Sequence, residues 1–432
     1  MPRSALWHRR GAADLGDVSD TSPAHRAAER AARHNYGKLV AYLAARTGDV
    51  ATAEDALSDA FAAALATWPT RGVPRAPEAW LFAAARRRMI DMARRRRTRE
   101  AAADWLLFAV EEAAGMDPAD VPDWRLRLMF ACAHPAIDAA IRGPLILQTV
   151  LGLDAAAIAA AFLTSPTAMS QRLVRAKRRI RDTGIPFRVP DRADLPDRLD
   201  VVLEAIYAPF GAGWPDPSGL DGRRQGLLDE AVWLGHVVIG LLPEEPEGLG
   251  LLALMLYAGA RRNARRSANG DYVPLSEQEP ALWDAAAIDE AERLLQRANT
   301  YGRIGRFQLE AAVQSVHASR RTTGRTDWSA ILELYEGLLA LTHSPVVAIN
   351  RAVALGQTAG PAAGLAALDE LAQDPRLAAY QPYWAARADL LARLGRHASA
   401  DAAYARAILL EPDTAVRRFL EQRRARFRPN FS

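Results

Sequence analysis

Helical periodicity runs through the 432 residues of this chain, and no run of alternating β-branched residues bounded by turn signals interrupts it. An all-α fold follows. Proline and glycine punctuate the pattern at TRGVPRAPEA (70–79), MDPADVPDW (116–124) and TGIPFRVPDRADLPDR (183–198). These breaks imply a flexible N-terminus (1–25), a first helical domain (26–99), an acidic linker (100–124) and a second small domain (125–184). A helical extension (185–300) and a repeat-like region (301–432) complete the expected order.

Half of the residues are hydrophobic and a quarter charged, enough to bury sizeable cores and too ordered a mixture for global disorder. Cys132 is the one cysteine, so no internal disulfide or thiolate cluster can form, and a reducing, cytoplasmic setting is expected. The first twenty residues hold no apolar stretch of signal-peptide length. The most apolar stretch, VVIGLLPEEPEGLGLLALMLYAGA (237–260), is broken by glycine, proline and three glutamates, so no membrane segment is expected.

Charge is unevenly distributed. Residues 1–187 carry 27 Lys and Arg against 20 Asp and Glu, a balance of +7; the remaining 28 against 31 give −3, which together make the net +4. Different partners for the two halves are implied.

Much of the positive charge sits in EAWLFAAARRRMIDMARRRRTR (78–99), where Arg86 to Arg99 include eight arginines against one acid, Asp91. Trp80, Leu81, Ala84, Met89, Ile90 and Met92 supply a core-facing set. One apolar face and a strongly positive remainder suit a helix laid along a phosphate backbone. A second signal lies in PLILQTVLGLDAAAIAAAFLTSPTAMSQRLVRAKRRIRD (144–182). An apolar helix ends at Gly152, Asp154 can cap a short helix through Phe162, and Ser165 can cap a third with Pro166 at its first position. This is a helix-turn-helix layout. On the third helix Ser165, Thr167, Ser170, Gln171, Arg172 and Arg175 are expected near the exposed N-terminal end, within reach of base edges. Lys177, Arg178, Arg179 and Arg181 are expected to meet phosphates, and Met169, Leu173, Val174 and Ile180 to form the buried stripe.

The C-terminal spacing Trp384, Ala388, Leu391, Gly395, Ala400, Tyr404, Ala407, Pro412 resembles one tetratricopeptide unit, with degenerate copies at 327–345 and 350–371. Such units bury their apolar faces only by stacking, which gives a concave surface for a protein partner.

The order AEDALSDAFAAALATWP (53–69), APEAWLFAAARRRMIDMARRRR, then LDAAAIAAAFLTSPTAMSQRLVRAKRRI resembles the two DNA- and polymerase-binding domains of sigma-70-type transcription initiation factors of the extracytoplasmic-function class. MFACAHPAI (129–137), the IPFRVP that follows and the long C-terminal region are similar to a subgroup with a C-terminal extension. The resemblance implies that Glu54, Asp55, Asp59 and Phe61 dock on the β′ clamp of the RNA polymerase core. It implies that Trp80, Arg86, Arg87, Arg88, Arg94, Arg95, Arg96 and Arg97 belong to the minus-10 reader of promoter DNA, and that Pro166 to Arg181 form the minus-35 reader. The linker 100–123 corresponds to a spacer through the polymerase. Ala76 stands where the family often has Asn, and YAPFGAGWPDPSG (207–219) departs from the expected form of that loop.

Catalysis is not expected. The eight histidines are scattered, with no HExxH pair, GxxxxGK[ST] loop, GxGxxG turn or GxSxG elbow. His134, before Pro135, is expected to pack or cap, and no metal or cofactor is implied. A polymerase-independent helix-turn-helix regulator or a tetratricopeptide scaffold is the alternative reading.

Overall fold

The computed structural model describes residues 23–96, 124–162, 164–191, 193–213 and 222–426. Within them the chain is helical, apart from an isolated bridge between Arg266 and Tyr272, and no strand occurs among the described residues. No helix of the described residues is long and apolar enough to cross a membrane. Residues 1–22 of the expected flexible N-terminus (1–25) and residues 100–123 of the acidic linker (100–124) lie outside the described residues, while residues 23–25 already belong to the first helix. The chain divides into two compact units, Met1–Ala208 and Pro209–Ser432.

In the first unit, α1 (Pro23–Thr47) ends where Gly48 takes φ +67°. Asp49 then caps α2 (Val50–Arg71), accepting from the Thr52 amide at 3.1 Å and the Thr52 hydroxyl at 2.7 Å. α3 (Pro77–Arg96) opens on proline, whose fixed φ suits a first helical position. Alanines 53, 56, 60 and 64 are buried along α2 and let its neighbours approach. The core is filled by Leu43, Leu57, Phe61, Trp68, Leu81, Phe82 and Met89, with Tyr42 edge-on to Phe82 at 5.4 Å.

α4 (Arg125–Cys132) is buried except at Arg127. Cys132 Sγ lies 3.6 Å from Thr149 Oγ1, and burial pushes its thiol up to about 12, which makes it an inert core residue. His134 behaves as expected of a capping histidine: its Nδ1 accepts from the Ala136 amide at 3.1 Å. Burial, then Arg198 and Arg142, hold its pKa below the usual value. α5 (Ala139–Thr149), α6 (Ala155–Ala161) and α7 (Pro166–Asp182) follow, and α8 (Pro196–Gly213) begins beyond the buried Ile185.

The second unit contains α9 (Gly222–Leu241), α10 (Pro246–Ala260), α11 (Ala285–Asn299), α12 (Arg306–Ala318) and α13 (Arg320–Thr323). α14 (Trp328–Thr342), α15 (Pro345–Thr358), α16 (Pro361–Glu370), α17 (Gln381–Arg393), α18 (His397–Leu410) and α19 (Thr414–Ala425) complete it. α10 packs against α9, α11 and α12, which explains why it is apolar on every side. From α14 onward each helix packs on the next, the arrangement expected of stacked helical pairs. Gly364 lets α16 lie on α15 backbone to backbone, since a Cβ there would meet Ala352 O at 2.7 Å and Gly356 Cα at 2.8 Å. Tyr404 is buried in the α17–α19 core and Trp384 packs beside it, as the spacing predicts.

The basic C-terminal helix is neutralised internally. Arg424 pairs with Asp401 at 2.7 Å, Arg423 with Glu277 at 3.1 Å and Arg418 with Asp271 at 3.6 Å. Arg266 meets the buried Asp413 at 2.6 Å, and Tyr272 stacks edge-on to Phe419 at 5.4 Å. Residues 261–284 are thereby stapled to α19. Arg320 adds donations to the carbonyls of Leu275, Ser276 and Gln278.

Candidate nucleic-acid interface

The last three helices of the second domain form as their caps dictate. Asp138 accepts from Ala140 N at 3.0 Å to start α5, Asp154 from Ala157 N at 2.7 Å to start α6, and Ser165 Oγ from Ala168 N at 3.2 Å to start α7. Gly152, at φ +67°, makes the turn between α5 and α6, where a Cβ would meet Tyr36 Cδ1 at 3.4 Å.

α7 presents three faces. Met169, Leu173, Ala176, Lys177 and Ile180 are buried. Thr167, Gln171, Val174 and Arg178, spaced i, i+4, i+7 and i+11, are exposed along the opposite side, with Ser165 and Ser170 exposed beside them. Arg172, Arg175 and Arg179 form a flank facing Asp138 across an open groove of about 440 Å³. Hydroxyl, amide and guanidinium groups therefore stand together on solvent, as a helix entering a major groove needs.

On α7 two residues differ from the expectation. Val174 is not in the buried stripe but 46% exposed; Ala176 takes the buried place, because at 100° per residue it shares the face of Met169 and Ile180 while Val174 points away. Lys177 is not a surface phosphate contact. It is buried, and its Nζ donates to Glu54 Oε2 at 2.5 Å. Arg181, one turn on, lies 3.7 Å from Asp49.

On α2, Asp55 and Asp59 are exposed as expected. Glu54 is not: its side chain is 15% exposed, and burial pushes its carboxyl above the usual range while Lys177 pulls it back in part. Phe61, 4% exposed, is a core residue on the stripe Leu57, Phe61, Ala64, Trp68 and offers no surface.

On α3 the buried set is Leu81, Phe82, Ala85 and Met89, with Ala84, Ile90 and Met92 half-buried. Trp80 is half-buried edge-on to Trp68 at 5.5 Å. Arg87 is exposed, Arg86 is half-buried, and Arg88 donates to Asp59 at 2.6 Å. The side chains of Arg94, Arg95 and Arg96 fall outside the described side chains, and Arg97 outside the described residues. Sequence reasoning missed Phe82 as core and Val174 as surface; the width of each buried stripe decides both, and periodicity alone does not give it. Among the described residues no group of three His, Cys, Asp or Glu could hold a metal.

Residues 31–99 match sigma-70 region 2, which takes in the last two thirds of α1, with α2 and α3. Residues 198–299 match a family of unknown function, DUF6596. An uncharacterized protein of Rhizobium meliloti (strain 1021) is 40% identical over 365 residues, covering 83% of this chain and 86% of that protein. No solved structure matches.

Proposed function

The chain belongs to the sigma-70 family, and on that premise we propose that it is a promoter-specificity subunit of the extracytoplasmic-function class. It binds RNA polymerase core, directs it to a two-element promoter in the cytoplasm, and carries out no catalysis of its own. The observation that carries this reading is the region 2 match over residues 31–99, where exposed Asp55 and Asp59 on α2 adjoin the arginine-rich α3. Acidic groups suit a basic clamp surface, and arginines suit the backbone of opened DNA.

The capped α7 supports a second reading element. Its outer stripe fits base edges and its arginine flank fits phosphates, so it is assigned to the upstream element of the promoter. The region beyond residue 184 is assigned as a tetratricopeptide-like extension that controls transcription in cis and offers a stacked helical surface to a protein partner.

In vitro transcription with purified core polymerase and the full chain tests this. Initiation from a selected promoter only when both are present is expected. DNA binding by the chain alone, with no retention of core and no initiation, would instead make it a polymerase-independent regulator.

A further inference from the structure

Arginines gather where α10 ends. Arg261, 8% exposed, follows the last residue of α10 and donates through Nη2 to Gln314 Oε1 of α12 at 2.5 Å. His317 stands one turn beyond Gln314, and Arg320, three residues further, opens α13. Arg320 donates to the carbonyls of Leu275 and Ser276, each at 2.9 Å, and to that of Gln278, and its guanidinium lies 5.2 Å over the ring of Trp283. The amide after Trp283, that of Asp284, donates to Ala260 O at 2.9 Å, which returns the chain to the neighbour of Arg261. These contacts close a ring. Arg265 and Arg266 lie one turn past Arg261, where Val273 N donates to Arg265 O at 2.9 Å.

Among the described residues the acceptors of Arg261 and Arg320 are a side-chain amide oxygen and three backbone carbonyls, all of them neutral. The carboxylate of Asp413 is committed to Arg266, and even so Arg266 Nη1 and Trp283 Nε1 are buried donors with no hydrogen-bond partner among the described residues. Burial pulls the Arg261 guanidinium down to about 10, with Arg320 adding to the fall; burial, then Arg261, pulls Arg265 down to about 9. Both stay cationic at neutral pH, so the fold holds like charges together in a poorly solvated place. Perturbed groups that share one place in this way mark a functional site.

We propose that Arg261, Arg265, His317 and Arg320 form a binding site for a phosphate dianion, free or as the terminal group of a small ester. A guanidinium presents a planar fork of donors that matches phosphate oxygens two at a time, and a dianion offsets the charge that the neutral acceptors leave standing. His317 is neutral at this place, since burial, then Arg261 and Arg320, lower its pKa to about 4, and a neutral imidazole offers one further N–H. Arg261 is too deeply buried for the backbone of a duplex to reach, which selects a small ligand. The bound dianion ties residues 261–284 to α12 and α13. The site thus stands where the segment matched to the family of unknown function, residues 198–299, meets the helices that follow it, and it does not depend on the polymerase reading.

The test is calorimetry and hydrogen exchange on the full chain in chloride buffer, with inorganic phosphate, glycerol 3-phosphate and succinate as probes. Both phosphates are expected to bind saturably and to slow exchange across residues 261–284 and in α12 and α13. Tighter binding of glycerol 3-phosphate would support the site as one for an ester, and equal binding as one for the free ion. Arg261→Met, which removes one cation and keeps an unbranched side chain, is expected to weaken phosphate binding about tenfold. The wild-type exchange map decides even if that variant folds poorly. Protection confined to the arginine-rich α3 and α7 would place the anion on the DNA-reading helices and overturn the proposal. So would a failure to saturate below about 10 mM phosphate, or succinate binding as tightly as phosphate. Exchange across residues 261–284 slowed by a DNA duplex and not by the small phosphates would also overturn it, making this face a nucleic-acid surface.

Discussion

Arg88 Nε donates to Asp59 Oδ2 over 2.6 Å, so the arginine-rich helix and the acidic helix of the first domain share an ion pair across 29 residues of sequence. The side chains are 40% and 49% exposed, which limits the pair to about 0.2–1 kcal/mol of stability. Charge at this point can therefore be changed without unfolding the domain. The double variant Asp55→Lys, Asp59→Lys is expected to melt within a few degrees of wild type while its affinity for core polymerase falls about tenfold or more. The exchange Asp59→Arg with Arg88→Asp keeps the pair and is expected to lose core affinity as well. Unchanged affinity in both folded variants would remove this face from the docking site.

The caps were legible because capping is local chemistry. Asp154 and Ser165 each accept from an amide three residues on, and three-residue spacing is visible in any sequence. The expected order of the helices around residues 144–182 followed from them. What escaped the sequence was the partner of Lys177, 123 residues away on another helix, and with it the burial of Glu54. Periodicity marks the centre of a buried stripe, and Leu173 and Ile180 were placed by it, but Lys177 stands at its margin, where only the neighbouring helix decides, and Val174 beyond that margin on the same side. The internal pairing of the basic tail with Asp271, Glu277 and Asp401 was invisible for the same reason.

Asp413 carries two duties in the second unit. It caps α19 through the amides of Ala415 and Val416, and it holds Arg266 at 2.6 Å. Asp413→Ala removes both and is expected to cost about 2–4 kcal/mol in urea unfolding, whereas Asp413→Asn keeps an oxygen for the cap and costs less. Hydrogen exchange adds a sharper reading. Protection of α19 and of residues 261–284 should fall together; loss confined to α19 would show that the staple contributes nothing.

His317 gives the second unit an acid sensitivity. Burial, then Arg261 and Arg320, lower its pKa to about 4, and its ring stands edge-on to Trp328 at 5.6 Å. The folded chain binds the proton less readily than the unfolded chain, so this contribution is full above the unfolded value near 6.5 and is lost as pH falls from there toward 4. The whole difference is about 3 kcal/mol. His317→Gln should flatten the stability profile of the second unit between pH 6.5 and 4. An unaltered slope in that window would assign the acid sensitivity elsewhere.

Val174 stands at the centre of the outer face of α7, between Gln171 and Arg178, and is 46% exposed. A β-branched residue there gains nothing from helix propensity or from burial in the free chain. The major groove offers one apolar group on its base edges, the 5-methyl of thymine, and a valine on a stripe of hydroxyl, amide and guanidinium groups is matched to it. Such a contact would be worth about 0.8 kcal/mol, roughly fourfold in affinity. The upstream element would first be selected from randomised duplexes with the polymerase-bound chain, and each thymine in it then replaced by deoxyuridine, which removes only the methyl. One position should weaken wild-type binding by about fourfold, and Val174→Ala should bind both forms of that duplex equally. Wild-type chain that tolerates deoxyuridine at every position would show that Val174 contacts no thymine, and would leave specificity in this element to Thr167, Gln171 and the arginines beside them.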